Sequence, residues 1–582
     1  MIFGKVINRY YLKYLFWYIL GIAALVAVDF FQLRVNEIFG ELIDHFDLGT
    51  LNNEVLVDSI LSLLIVVLVL FCGRFLWRIF IIGSGVRVEN DLRARMFDRC
   101  TILSQRFYQT NKVGTMMAYY TNDINTIRMS FGFGFMMLCD AIILGVLILV
   151  KMARLHLVLT LICFIPMLII AIISGFIGKI LKNRFKETQK SYADLSDFSQ
   201  ESFSGLYVVK AFVNEIRELR RFSKLSETNR EKNLNFVLPS TLLNICIGAL
   251  ITTIIVIITS VGSYIALNPN VLSVGDFVVF ITFFLALVWP MMAIANIIIM
   301  ASQAGASLSR ISSVFEEKVE IKDIENAITS NIEGSIKYNN LSFTYPDSDI
   351  EVLSNICINI DKGEHVGIIG KTGCGKTTIV DLLLRLYNLK ENELLIDGID
   401  IMKYSIKTVR DSIAYVPQDN FLFSDTIKNN IGFYSEKCED ELIKQASIMA
   451  DLDVNVMEFK DTYETVLGER GVTISGGQKQ RTSIARALIK DAPILVMDDA
   501  LSAVDTDTEK KILVNLLNLR RNKTTILIAH RISTISYMKK IIVMNEGKVV
   551  AIGTHNKLLK ECELYATMVK LQKLEDEVMG DL

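Results

Sequence analysis

The chain is poor in the features that would tie it to nucleic acid, metal or an extracellular scaffold. Its nine cysteines are scattered from Cys72 to Cys562 with no CxxC pair and no metal-like spacing, so neither a zinc site nor a disulfide framework has sequence support. No long basic run occurs and the net charge is −2, which removes the electrostatic case for a nucleic-acid partner. No internal repeat or low-complexity tract stands out. The first apolar block, 15–31, lacks a small-residue cleavage site and leads into more apolar sequence, so retention of the N-terminus is expected.

What is abundant is hydrophobicity, at 51% of residues, and it is placed unevenly. The apolar blocks lie before about residue 305 and are long enough to cross a bilayer at about 20 residues per helix. Six spans are expected, at 15–38, 55–82, 134–152, 157–178, 238–265 and 276–302. An even number puts both termini on one side. Arg87, Arg93, Arg95, Arg99 and Arg106 follow span two, and Lys182, Arg184, Lys186, Lys190, Arg217, Arg220 and Arg221 follow span four. Basic loops of this kind mark the cytoplasmic face. Glu41, Asp44 and Asp47, and the short loop Leu267-Asn268-Pro269-Asn270, suit the outer face, whereas Lys151 and Arg154 fit it poorly. The charged helical stretches 89–99 and 185–230 are expected to project into the cytoplasm.

A polar linker, 311–335, separates this part, 1–310, from a second domain, 336–582. There, strand-like runs alternate with helical ones, the pattern of a layered α/β fold. The run Gly370-Lys371-Thr372-Gly373-Cys374-Gly375-Lys376-Thr377 matches GxxxxGK[ST], follows the strand-like 365–369 and opens a helix that includes Thr378. Glycines let backbone N–H groups close around phosphates at a helix N-terminus, Lys376 reaches the terminal phosphate, and the Thr377 hydroxyl suits Mg²⁺. Downstream, the apolar strand 494–497 ends in the paired acids Asp498 and Asp499, a second Mg²⁺- and water-facing feature. A helix N-terminus also lowers a thiol pKa, so Cys374 is expected to be reactive and protected by ATP.

With these segments in order, the chain resembles an ABC exporter half-transporter over essentially its whole length: a six-span α-helical membrane domain fused to an α/β P-loop ATP-binding domain. The resemblance implies ATP and Mg²⁺ as ligands. It makes Tyr345 the aromatic that stacks on adenine, Thr377, Gln418 and Asp498 the Mg²⁺ ligands, and Ser475-Gly476-Gly477-Gln478 the signature that meets the γ-phosphate. Gly468-Glu469-Arg470-Gly471 resembles the exporter loop before the signature, Asp505 belongs to the D-loop, and His530 is the switch histidine. In this family two such domains pair head to tail, each nucleotide lying between the phosphate loop of one chain and the signature of the other, so a dimer is implied. Short coupling helices carry closure to the membrane helices, and 112–120 and 202–213 are candidates.

Two positions depart from the family pattern: Ile474 replaces the usual leucine of the signature, where only an apolar contact is expected, and the second bears on catalysis. The residue after the Walker B aspartate is usually the glutamate that polarises the attacking water, and here it is Asp499. A carboxylate shortened by one methylene retreats by about 1.5 Å, and misplacement by about 1 Å costs on the order of a hundredfold in rate. The expectation is therefore a slow site catalysed by Asp499, Gln418 and His530, paired with a homologous half-transporter that carries glutamate. The chain looks like the degenerate-site subunit of a heterodimeric bacterial multidrug exporter in the inner membrane, both termini cytoplasmic, moving hydrophobic or amphipathic compounds. A lipid flippase and an ATP-gated membrane sensor are the alternatives. Within the spans, Asp29 and Asp140 suit either a substrate path or structural pairing. The aromatics of span six, Phe277, Phe280, Phe283, Phe284 and Trp289, suit either a hydrophobic cavity or a lipid-facing stripe.

Overall fold

The computed structural model describes residues 6–267, 271–435, 438–468 and 471–580. The outer loop read at 267–270 therefore falls largely outside the described residues. The chain divides into two compact units: Met1–Thr101 with Val113–Glu316, and Ile102–Lys112 with Glu317–Leu582.

The first unit is made of long helices: α1 (Leu15–Asp47), α2 (Asn53–Thr101), α3 (Val113–Leu155), α4 (Leu157–Ser204), α5 (Glu215–Ala266) and α6 (Val274–Glu316). Asn52 starts α2 by accepting a hydrogen bond from the Val55 N–H at 2.9 Å, the capping role for which a short amide side chain is suited. α1, α2, α3, α5 and α6 are each long and apolar enough to cross a membrane. The remaining expected span, 157–178, falls in α4, with the side chains of 165–179 outside the described residues. α2 buries only 6% of its most apolar stretch, against 39% for α3 and for α6. Its leucines 61, 64 and 68 are exposed, the pattern of a helix turned outward to lipid, which is as apolar as they are. α4 and α5 run along each other, and α6 packs on α1 and α3. Lys151, ill-suited to an exposed outer loop, sits inside α3 and is bonded to Glu37 of α1. Pairing removes the cost of an isolated charge there.

In span six, Phe280, Phe283 and Phe284 are fully buried and pack with Leu33, Leu144, Ile148, Ile254 and Ile258. They are core residues, neither cavity lining nor lipid stripe, because rings one turn apart on a single helix face meet three neighbouring helices. Trp289, by contrast, is 45% exposed and lines a cavity of about 320 Å³ with Phe133, Met137, Asn296, Ile299, Met300 and Gln303.

The second unit holds two sheets. β1 (Ile336–Thr344), β2 (Glu351–Ile360), β4 (Leu394–Ile396) and β5 (Ile399–Asp400) form an antiparallel sheet in the order β2-β1-β4-β5. The larger sheet runs β10-β9-β3-β8-β7-β6, with β3 (His365–Gly370), β6 (Ile413–Val416), β7 (Ile494–Asp498), β8 (Thr524–Ile528), β9 (Lys540–Asn545) and β10 (Lys548–Gly553). All its neighbours are parallel except β9 and β10. β7 and β8 are buried at every residue and, apart from Asp498 and the two threonines that open β8, are apolar throughout: a parallel sheet is covered on both faces. Separate hydrophobic cores fill the two sides.

Ile102–Lys112 also belongs to this second unit. It contains a short helix, Gln105–Thr110, which ends two residues before the expected coupling segment 112–120 begins. Arg106 grips Asp347 with Nε at 2.8 Å and Nη2 at 2.7 Å, and Glu320 with Nη1 at 2.6 Å. Tyr387 donates to Gln109 at 3.1 Å. Both expected coupling segments are helical: 112–120 falls in the first turns of α3, which starts with Val113–Ala118, and 202–213 holds the short helix Leu206–Ala211.

Candidate nucleotide site

Because β3, β6, β7 and β8 are parallel, their C-terminal ends share one edge of the sheet, where ligands of open α/β folds bind. Gly370 ends β3, Val416 precedes Gln418, Asp498 ends β7, and Ile528 lies two residues before His530. The register fixes the heights: Asp498 pairs with Ile528, the Asp499 N–H donates to the Ile528 carbonyl at 2.9 Å, and the Ala529 N–H donates to the Ile368 carbonyl at 3.2 Å. Residues separated by up to 160 positions are thereby brought to one rim.

Between β3 and helix α7 (Lys376–Leu383) the chain makes the loop 370–375. Gly373 and Gly375 have φ of 81° and 93°, a region open to glycine and strained for other residues. A Cβ at Gly370 would lie 2.3 Å from the Met544 carbonyl oxygen. Lys376 is buried and donates to the carbonyls of Gly370 at 2.9 Å and Lys371 at 3.1 Å. The Thr377 hydroxyl donates to Asp498 Oδ2 at 2.8 Å. A hydroxyl and a carboxylate at one point, with the N–H groups of a helix start beside them, form a donor set that fits a phosphate-bound Mg²⁺. Burial pushes the Asp498 carboxyl above its usual range, opposed by the Thr377 bond. Thr372 lies in the loop, Thr378 is buried on α7, and Thr378 Oγ1 lies 3.0 Å from the Tyr345 hydroxyl. The Tyr345 ring packs edge-on against Phe343 and Tyr387, with centroids 5.1 and 5.2 Å away.

Cys374 corrects an expectation. Its thiol is 3% exposed and belongs to a hydrophobic core. Burial pushes its pKa up, outweighing the lowering by Lys376 and the loop amides. The helix start alone does not make this thiol reactive, because a thiolate in an apolar surround loses its solvation.

Gln418 is exposed just beyond β6, and His530 is half-buried. Asp499 is half-buried with φ of 48°, and its carbonyl accepts from the Ser502 hydroxyl at 3.0 Å. On another part of the unit, helix α8 (Gly476–Leu488) begins with a reciprocal cap: the Gln478 N–H donates to Ser475 Oγ at 3.3 Å, and the Ser475 N–H donates to Gln478 Oε1 at 3.0 Å. The N–H groups of Gly476 and Gly477, in the first turn, have no acceptor within the helix. Asp505 caps helix α9 (Thr506–Leu519), accepting from the Thr508 N–H at 3.0 Å. Glu469 and Arg470, in the loop before the signature, lie outside the described residues.

Two groups at this edge are additions to the sequence reading. Asp381 lies four residues after Thr377, hence on the same face of α7. Its carboxyl is pushed up to about 6, first by burial and then by the charge of Asp498. Gln480, on α8, donates to the Ser502 hydroxyl at 3.2 Å and accepts from the Ala503 N–H at 2.9 Å. It ties the signature helix to the loop after Asp499. A polar residue two positions beyond the signature glutamine is the only sequence signal for it.

The comparisons with known proteins agree with this geometry. Residues 18–291 match the ABC transporter transmembrane region, and residues 353–502 match the ABC transporter family. The chain is 32% identical over 571 residues to the probable multidrug resistance ABC transporter ATP-binding/permease protein YheI of Bacillus subtilis, covering 98% of this chain and 97% of the relative. It is 31% identical over 564 residues to the multidrug resistance-like ATP-binding protein MdlA of Escherichia coli, covering 96% and 94%. An ATP-dependent lipid A-core flippase of Desulfotalea psychrophila is 32% identical over 536 residues, covering 91% and 92%. Among solved structures, a bacterial Atm1-family ABC exporter with ATP bound aligns with a TM-score of 0.78 at 26% identity, covering 98% of this chain and 99% of that one. A phosphate loop, a Thr–Asp pair and a capped signature on one α/β domain, fused to a multi-pass helical membrane domain, thus belong to an ABC exporter half-transporter whose ATP hydrolysis is coupled to transport.

Proposed function

We propose that this chain is one subunit of an exporter of hydrophobic or amphipathic compounds, binding ATP at a slow site of its own and completing a competent site on a homologous partner. Asp499 carries the reading. The phosphate loop, Lys376, Thr377 and Asp498 supply every group needed to hold Mg²⁺-ATP, with Tyr345 on the adenine and Gln418 completing the metal shell. The group that should polarise water is one methylene short. The signature, Ser475 to Gln478, is nearly consensus, with Ile474 in place of the usual leucine, and serves the other nucleotide. A partner half-transporter with a Walker B glutamate then does most of the hydrolysis. The chain lies in a bacterial inner membrane with both termini in the cytoplasm, consistent with the basic stretches after α2 and α4.

For the cargo, the cavity beside Trp289 is the supporting observation. The indole donates to Asp140 Oδ2 at 2.8 Å, and Asp29 is buried with one carboxylate oxygen that has no hydrogen-bond partner among the described residues. Acidic and aromatic groups among apolar ones suit drug-like amphiphiles. Relatives named as lipid A-core flippases make lipid the second reading. Transport by inside-out vesicles carrying this chain and its partner separates the two: ATP-dependent uptake of lipophilic dyes with no movement of labelled lipid A supports the first, and the converse supports the second. Unchanged turnover after the partner's glutamate is replaced by glutamine would refute the asymmetric arrangement.

A further inference from the structure

The turn after β8 is held by a residue far from every nucleotide-binding motif. The last helix, α10 (Glu563–Gly580), is anchored in the core by Tyr565, fully buried, and by Val569. Gln572 is three residues beyond Val569 and seven beyond Tyr565, hence on the same face. Its Nε2 donates to the His530 carbonyl at 2.5 Å, and its Oε1 accepts from the Ile532 N–H at 2.7 Å. A carbonyl can only accept and an N–H can only donate, so the amide has one workable orientation. The Ile532 N–H opens the short helix Ile532–Ile535 and would otherwise be an orphan donor. Between these contacts, Arg531 reaches the opposite way, to buried Glu509 at 3.1 Å and to the Ser502 carbonyl at 3.3 Å. Three consecutive residues are therefore pinned from two sides.

We infer that Gln572 is a positioning residue for His530, clipping the turn so that the imidazole faces the nucleotide edge of the sheet. This rests on the reading that His530 meets the terminal phosphate. Glutamine alone supplies both a donor and an acceptor at this reach: asparagine is about 1.5 Å shorter, and glutamate keeps the bond from Ile532 but sets a carboxylate oxygen against the His530 carbonyl.

The test uses the full-length transporter in membrane vesicles, with photolabelling of this chain by azido-ATP and azido-ADP, in Gln572→Glu, Gln572→Met, His530→Ala and the combined His530→Ala/Gln572→Glu variants. The expected result is half-saturation by azido-ATP raised about fivefold in both Gln572 variants, the scale of one net hydrogen bond, with azido-ADP unchanged. In the His530→Ala background, Gln572→Glu adds no further loss. Equal losses for both nucleotides, no loss for either, or a loss that persists without His530 would each overturn the inference. If His530→Ala weakens azido-ATP alone while the Gln572 variants do not, the positioning role falls and the reading of His530 stands. If His530→Ala changes nothing, that reading fails and takes the inference with it.

Discussion

Replacing Asp499 by glutamate should accelerate this chain's own site by on the order of a hundredfold. The carboxylate advances by about 1.5 Å, and recovery of a placement error of about 1 Å is worth about a hundredfold, or about 2.7 kcal/mol of barrier. The backbone opposes the change. Asp499 has φ of 48°, and aspartate visits the left-handed region more readily than glutamate, for which it costs roughly 1–2 kcal/mol. That strain weighs on folding rather than on the barrier, so the variant should be faster and less heat-stable. The assay is phosphate release by the purified transporter with the partner's catalytic glutamate replaced by glutamine, so that only this site turns over, alongside a nucleotide-binding measurement. An Asp499→Glu variant that binds ATP normally yet releases phosphate no faster would show that side-chain length is not what limits the site. Fast turnover by the unmodified chain paired only with itself would refute the premise.

Three other outcomes follow from the geometry. The Asp381 carboxyl, at about 6 when folded against 3.8 ordinarily, binds its proton more tightly in the folded state; the stability this contributes is complete below about pH 4 and is lost as pH rises through 6. Nucleotide-free Asp381→Asn should therefore unfold at a higher temperature than the parent at pH 8, with the gap shrinking at pH 5. Cys374, buried and with its thiol pKa raised, should react with N-ethylmaleimide at pH 7 far more slowly than exposed Cys357, as read by peptide mass spectrometry; equal rates would mean the loop opens to solvent without nucleotide. Asp140→Asn should reduce dye transport while leaving ATP affinity within about twofold, and an unaltered transport rate would remove Asp140 from the substrate path.

The nucleotide edge was legible in the sequence for a physical reason. Phosphate binding demands a backbone shape that only glycine adopts cheaply, as at Gly373 and Gly375, and a hydroxyl beside a carboxylate, as at Thr377 and Asp498, suits a metal, so the chemistry dictates residue types at fixed spacing. The membrane spans were legible because lipid demands length and apolarity. What the sequence left open depends on which surfaces meet. Lys151 looked misplaced until Glu37 was found beside it, and the phenylalanines of α6 suited a cavity or a lipid face until α1, α3 and α5 were found closed over Phe280, Phe283 and Phe284. Cys374 shows the limit of local rules: a helix start predicts a reactive thiol, and burial by residues distant in sequence reverses it.

The same distinction bears on how the two nucleotide sites of a dimer would communicate. On this chain the signature helix is bound through Gln480 to Ser502 and Ala503, and Ser502 is bound through Arg531 to the turn bearing His530. In the head-to-tail pair proposed above, the signature would touch the partner's nucleotide and His530 this chain's own. Closure on one nucleotide would thus bear, through a few side chains, on the histidine at the other. Under the proposed asymmetry a slow site would have a use: ATP retained behind Asp499 would keep this set of contacts assembled while the partner's site cycles. Gln480→Ala should therefore lower the partner site's turnover and its dependence on ATP held here, without altering ATP affinity at this chain's phosphate loop. Equal losses in binding and turnover would reduce Gln480 to a packing residue and leave the two sites without this connection.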